Sequence, residues 1–192
     1  MDPINIIIGL NIIATFGANV GAAKKGIKDK VGVFKDKPKT YLQSLPLVLS
    51  TIALVVLIVS LFQIGTLGYT SENQTIRVIG LAFYLVFSWV QIWATKVLGD
   101  NFSQDIAIRK DHYLVIIGPF KLVRHPQYLS QLLMDLGGAA ATLSFILAPL
   151  ALIQLPFLFM RASLEEKLLE KHFGESFRLY KKKTGMIFPF IG

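Results

Sequence analysis

Arg161 precedes Glu165 by four residues, so a helix through this stretch carries both on one face, with Glu166 beside them. A guanidinium is a planar fork of donors that matches a carboxylate, and a carboxylate accepts hydrogen bonds from hydroxyl and ammonium groups. The pair is therefore equipped to hold polar parts of a small molecule. The histidines His112, His125 and His172 stand in no HExxH or comparable spacing, so no metal site is expected. With no Cys, thiolate metal sites, a cysteine nucleophile and a disulfide framework are excluded. GxGxxG, GxxxxGKS/T and GxSxG are all missing, which leaves a Rossmann site, a P-loop and a hydrolase elbow without support. Asp135 follows Tyr128 by seven residues and Gln131 by four, again one helix face, and an acid inside an apolar run is a functional hypothesis by default. Each of these residues also has a plain structural reading. Glu165-Glu166 suits a solvated helix face, Arg161 an anchor at the edge of an apolar span, His125 packing under the turn at Pro126, and Asp135 pairing within a bundle.

The elements that must position them are membrane helices. In 192 residues, 53% are hydrophobic and 17% charged, against ~25% charged in ordinary soluble domains. A spanning helix needs ~20 mostly apolar residues. Such runs occur at 4–23, 45–67 and 78–95, and the 34 residues 127–160 carry Asp135 as their only charge. Lys follows rather than precedes the first apolar run, so a retained helix is expected there, not a cleaved leader. The net charge of +8 is distributed by topology. Lys24, Lys25, Lys28, Lys30, Lys35, Lys37 and Lys39 follow the first run; Lys96, Arg109, Lys110, Lys121 and Arg124 follow the third; a third basic group follows residue 160. By the positive-inside rule these flanks are cytoplasmic, so 127–160 must go out and return as a hairpin turning near 142–144. The expectation is an all-α polytopic protein of about five membrane helices, N-terminus outside, with every basic residue but Arg77 on one side. Residues 1–97 form the first membrane helices and 98–192 the half that carries the site, in a single domain. The basic clusters fit membrane lipids; no aromatic-basic interleaving accompanies them, so nucleic acid is not an expected partner.

Between and beyond these spans runs an ordered series: Gly99, His112, Leu114-Val115, Gly118-Pro119, Arg124-His125-Pro126, Tyr128, Arg161, Glu165-Glu166, Phe173-Gly174 and Tyr180. With the stretches LGDNFS (98–103), HYLVIIGPF (112–120), RHPQY (124–128) and EEKLLEKHFGESFRLY (165–180), it resembles the isoprenylcysteine carboxyl methyltransferase and phospholipid methyltransferase superfamily of integral membrane enzymes. About half the chain carries the likeness. It implies S-adenosylmethionine as methyl donor, bound by the cytoplasmic loop and the final helices through His112, Tyr113, Leu114, Val115, Phe120, His125 and Glu165. It further implies Arg161, as the catalytic residue, and Tyr128 on the side of the acceptor, which would be lipid-like and most simply a carboxylate of prenylcysteine type. Phe120 stands where the family commonly has Tyr, and Phe102 where Trp is frequent, so one hydroxyl contact is missing. Other readings are a phospholipid amine methyltransferase, an NADPH-dependent sterol-type reductase, whose C-terminal half is similar but whose chain is generally longer, and a non-catalytic lipid-binding membrane protein.

Overall fold

The structure, a computed structural model, describes residues 2–29, 34–109 and 111–191. Lys30 and Lys110 of the basic clusters lie outside these residues, as do the side chains of Lys24, Lys25, Lys28, Lys35 and Arg109. Among the described residues six α-helices run in order: α1 Pro3–Asp29, α2 Leu45–Ser60, α3 Gln74–Leu98, α4 Pro126–Thr142, α5 Leu147–Phe173 and α6 Glu175–Lys181. One short antiparallel pair, β1 Phe34–Asp36 with β2 Ile108–Arg109, joins the α1–α2 linker to the α3–α4 loop. Three stretches are long and apolar enough to cross a membrane, Tyr41–Ser60, Gln74–Asn101 and Leu147–Phe173, and Pro3–Ala18 is a shorter apolar helix.

The hairpin turns where the uncharged run required it. Leu143 leaves α4 in the left-handed conformation (φ 52°) and α5 starts four residues later. The backbones of α3 and α4 touch through glycine: a Cβ on Gly80 would stand 2.5 Å from the Ala141 nitrogen, and one on Gly137 2.6 Å from that of Tyr84. Without a hydrophobic driving force inside lipid, such close approach is what holds helices together.

One element differs from the sequence expectation, and another bears it out. The second helix ends at Ser60, not near residue 67, because Ser60 Oγ meets Ser144 Oγ at 2.9 Å and the chain turns back through Gln63 and Gly65. There the Leu67 amide reaches the Leu143 carbonyl (3.0 Å), so 61–67 close over the hairpin turn. The fifth helix passes through Arg161, Glu165 and Glu166 without a break. Its 27 residues make it about 40 Å long, more than ~30 Å of hydrocarbon, so its last turns project beyond the apolar layer.

Candidate functional site

The projecting end of α5, the end of α3, the start of α4, the loop between them and α6 enclose one cleft. About 890 Å³ of space lies between its walls, open mouth included. Three local devices build it. At the end of α3, Asn101 brackets the backbone of Tyr113: its Nδ2 donates to the Tyr113 carbonyl (3.1 Å) and its Oδ1 accepts the Tyr113 amide (3.3 Å). That anchors 112–115, with Leu114 and Val115 on the cleft. Gly174 ends α5 at φ 56°, a conformation glycine adopts without strain, and starts α6 in a direction that brings Phe177 and Tyr180 to the cleft. The Tyr180 hydroxyl then donates to the Phe120 carbonyl (2.6 Å). Finally, the Arg124 and His125 amides donate to the carbonyls of Gly185 and Met186 (2.8 and 3.0 Å), fixing the residues before Pro126, the first residue of α4.

The two adjacent glutamates do different work. Glu166 accepts from Arg124 Nε (2.5 Å) and meets Lys181 Nζ (3.1 Å), so it neutralises a structural pair of cations. Arg124 also donates to the carbonyls of Thr184 and Lys181. Glu165 faces the cleft, with its side chain 23% exposed. Its Oε1 accepts from the Tyr128 hydroxyl and from Arg161 Nε (3.3 Å), and its Oε2 lies 3.4 Å from His125 Nδ1. The His125 ring stacks on Tyr128, centroids 5.4 Å apart, and its Nε2 is 3.5 Å from Glu166. Burial disfavours a charged imidazole, but Glu165 and then Glu166 outweigh it and raise the His125 pKa above its ordinary value.

His112, Tyr113, Leu114, Val115, Phe120, His125, Tyr128 and Glu165 thus meet at one cleft. His112 packs against Phe173, ring centroids 5.8 Å apart, which joins two of the sequence motifs directly. Arg161 does not line the cleft. Its Nη1 donates to the carbonyls of Leu42 and Gln43 (3.1 and 3.2 Å), its Nη2 to Gln104 (2.5 Å) and its Nε to the Tyr128 hydroxyl (2.8 Å). The fork expected to face a carboxylate acceptor is taken up by backbone carbonyls, and the residue stands behind Tyr128 and Glu165. Asp135 is likewise internal, accepting from Gln131 and Gln154 (2.8 and 3.1 Å) and apart from Tyr128. The cleft also has a carboxylate that sequence reading passed over: Asp105, paired with Lys37 at 2.6 Å. Its only sequence signal was its place in a long polar loop. No group of three or more metal-ligating side chains occurs among the described residues.

Residues 78–171 match the family model of the isoprenylcysteine carboxyl methyltransferase family. A protein-S-isoprenylcysteine O-methyltransferase of Schizosaccharomyces pombe is 30% identical over 141 residues, 72% of this chain and 54% of the relative. One of Saccharomyces cerevisiae is 29% identical over 131 residues, 65% of this chain and 53% of the relative. The chain therefore spans about half the length of the curated relatives it matches. The fold is that of a solved eukaryotic intramembrane Ras methyltransferase, an isoprenylcysteine carboxyl methyltransferase, at TM-score 0.66 and 19% identity, covering 100% of this chain and 69% of that one. With its apolar helices and this likeness, the protein is an integral membrane protein, and the chain belongs to the isoprenylcysteine carboxyl methyltransferase family.

Proposed function

We propose that the chain transfers a methyl group from S-adenosylmethionine to the carboxylate of a prenylcysteine-type acceptor at the membrane surface. The observation that carries this is Glu165, a carboxylate facing the cleft and buttressed by Tyr128, Arg161 and His125. The residues present suit the donor. Glu165 and Asp105 can accept from its ammonium and ribose hydroxyls, while Leu114, Val115, Phe120 and Ile106 offer apolar walls for an adenine. When bound, the donor supplies an electrophilic methyl on a sulfonium. The chain's own part is alignment and exclusion of water. Carboxylate methylation releases no proton, so no general base is needed. That suits a cleft whose His125 and Glu165 already answer each other. Tyr128, at the boundary between cleft and Arg161, orients the acceptor side, and Arg161 holds Tyr128 rather than the acceptor itself.

Five crossings with the cleft on the cytoplasmic, basic side complete the reading, supported by the distribution of Lys and Arg. A labelled-methyl transfer assay against prenylcysteine analogues and phospholipid extracts tests the reaction. Labelled ester in the analogue fraction is expected; label only in amine headgroups would replace the proposed acceptor. Because the chain has no Cys, one introduced at the exposed Ser71 is uniquely addressable, and its labelling only from the cytoplasmic side would overturn the topology.

A further inference from the structure

We propose that Gln43, in the linker between α1 and α2, is a positioning residue for the donor-binding wall of the cleft, acting through the main chain of Ile106. The inference rests on the donor reading above. Gln43 closes a single turn, Tyr41–Gln43, capped by Thr40, and lies outside the family-matched residues 78–171. Its carboxamide bonds Ile106 in both directions: Oε1 accepts the Ile106 amide (2.8 Å) and Nε2 donates to the Ile106 carbonyl (3.0 Å), and also to that of Pro38 (3.1 Å). A carboxamide offers a donor and an acceptor as a neighbouring strand would.

That matters because 102–107 has no ladder of its own, and buried backbone groups must be paired somewhere. Ile106 is 1% exposed and packs with Leu42, Ile108 and Leu168, while Asp105, Ile106 and Ala107 line the cleft. Arg161 seizes the same structure from the other side, donating to the carbonyls of Gln43 and Gln104. Gln43 and Arg161 thus hold adjacent rungs of one wall, and Arg161 continues to Tyr128 and Glu165. Asn101 brackets Tyr113 by the same two-way bond, so one carboxamide ties the ends of the 101–113 loop together and the other holds its middle. The Lys37–Asp105 pair is half-exposed and contributes little beside them.

The test uses the full chain in one detergent, with S-adenosylmethionine as the probe. Gln43→Leu keeps most of the side chain's volume but loses both bonds to Ile106. Its donor Kd and KM should rise roughly tenfold, which corresponds to about 1.4 kcal/mol. Its kcat at saturating donor and its acceptor KM should stay within about threefold. Gln43→Glu still accepts the Ile106 amide but turns an anionic oxygen on the Pro38 and Ile106 carbonyls, so its donor Kd and KM should also rise, and it carries the test if the leucine variant does not fold. In the unmodified chain, hydrogen exchange over 103–108 should slow when donor is added. Unaltered donor Kd in either folded variant, an equal loss in kcat and in both Michaelis constants, or unslowed exchange despite donor binding would each overturn the role of Gln43. Failure of the unmodified chain to bind the donor would instead remove the reading beneath it.

Discussion

Two of the buried arginines, Arg77 near the start of α3 and Arg161 in the last half of α5, 2% and 4% exposed, are satisfied in opposite ways. Arg77 closes on a carboxylate: Nη1 and Nη2 reach the two oxygens of Asp2 at 3.1 and 2.5 Å. Its Nε bonds the Ala141 carbonyl and its plane lies 3.5 Å from the Tyr69 ring centroid. It clips the N-terminus to α3 and to the end of α4, and nothing there is left for a ligand. Arg161 spends most of its donors on backbone carbonyls and gives its carboxylate, Glu165, one edge-on contact. Glu165 is thereby oriented but not consumed. A buried guanidinium that neutralises its partner stabilises a fold; one that is satisfied by dipoles can prepare a neighbouring carboxylate for something else.

Removing each cation separates these roles. Arg77→Met should be the largest effect on stability, because it breaks a buried pair and leaves the Ala141 carbonyl and Asp2 without their partner. The expected cost is about 3 kcal/mol, read from unfolding in a fixed detergent. Donor affinity of the folded fraction should not change. A loss of affinity at unchanged stability would make the two ends of the bundle alike and undo the contrast.

The cleft end should respond in function. Glu165→Gln keeps size but removes a charge, and a charge-assisted hydrogen bond contributes ~1.5–3 kcal/mol, so donor affinity should fall roughly 10–150-fold by calorimetry. Arg161→Lys keeps charge but replaces a fork by a point, and cannot bridge Leu42, Gln43, Gln104 and Tyr128 together. It should lower kcat/KM by about tenfold. Because Arg161 lies behind Glu165, donor affinity should fall less than in Glu165→Gln. The reverse order would mean that Arg161, not Glu165, is the group that meets the donor.

Much of this architecture was legible in the chain because lipid imposes long uncharged runs. The hairpin turn near 142–144 followed from such runs and the charges that flank them, and the gathering of His112, His125 and Glu165 from the family resemblance. The early end of α2 was not legible, since it depends on Ser144, 84 residues away from Ser60. Nor was the state of Arg161: its partners are main-chain carbonyls, and a carbonyl has no letter in a sequence. Gln43 was hidden for the same reason. Of the two adjacent glutamates, the spacing from Arg161 singled out Glu165, but the closing of Glu166 on Arg124, 42 residues away, is a tertiary contact that no local pattern marks.

The two ends should also differ in pH dependence, the smallest of these effects. Asp2, hydrogen-bonded by Arg77, is held below the ordinary carboxylate value. A lowered native pKa means stability present above the unfolded value and lost as pH falls through the native one, so this end weakens only in acid. His125 has the opposite sign. Burial opposes its charge, but Glu165 and Glu166 on α5 lift its pKa, against Arg124 beside it in sequence and Lys181 beyond Glu166. A raised native pKa contributes stability that is full below about pH 6.5, the unfolded imidazole value, and disappears as pH rises through the native one. The melting temperature of the ligand-free chain should therefore decline as pH rises above about 6.5. His125→Asn, which cannot carry a proton, should lack that decline while keeping the acid limb set by Asp2. Conversely, Asp2→Asn should blunt the acid limb and keep the alkaline one. Profiles in which either substitution flattens both limbs would mean that the two clusters titrate as one unit, and that the separation of a clip at one end from a prepared carboxylate at the other does not hold.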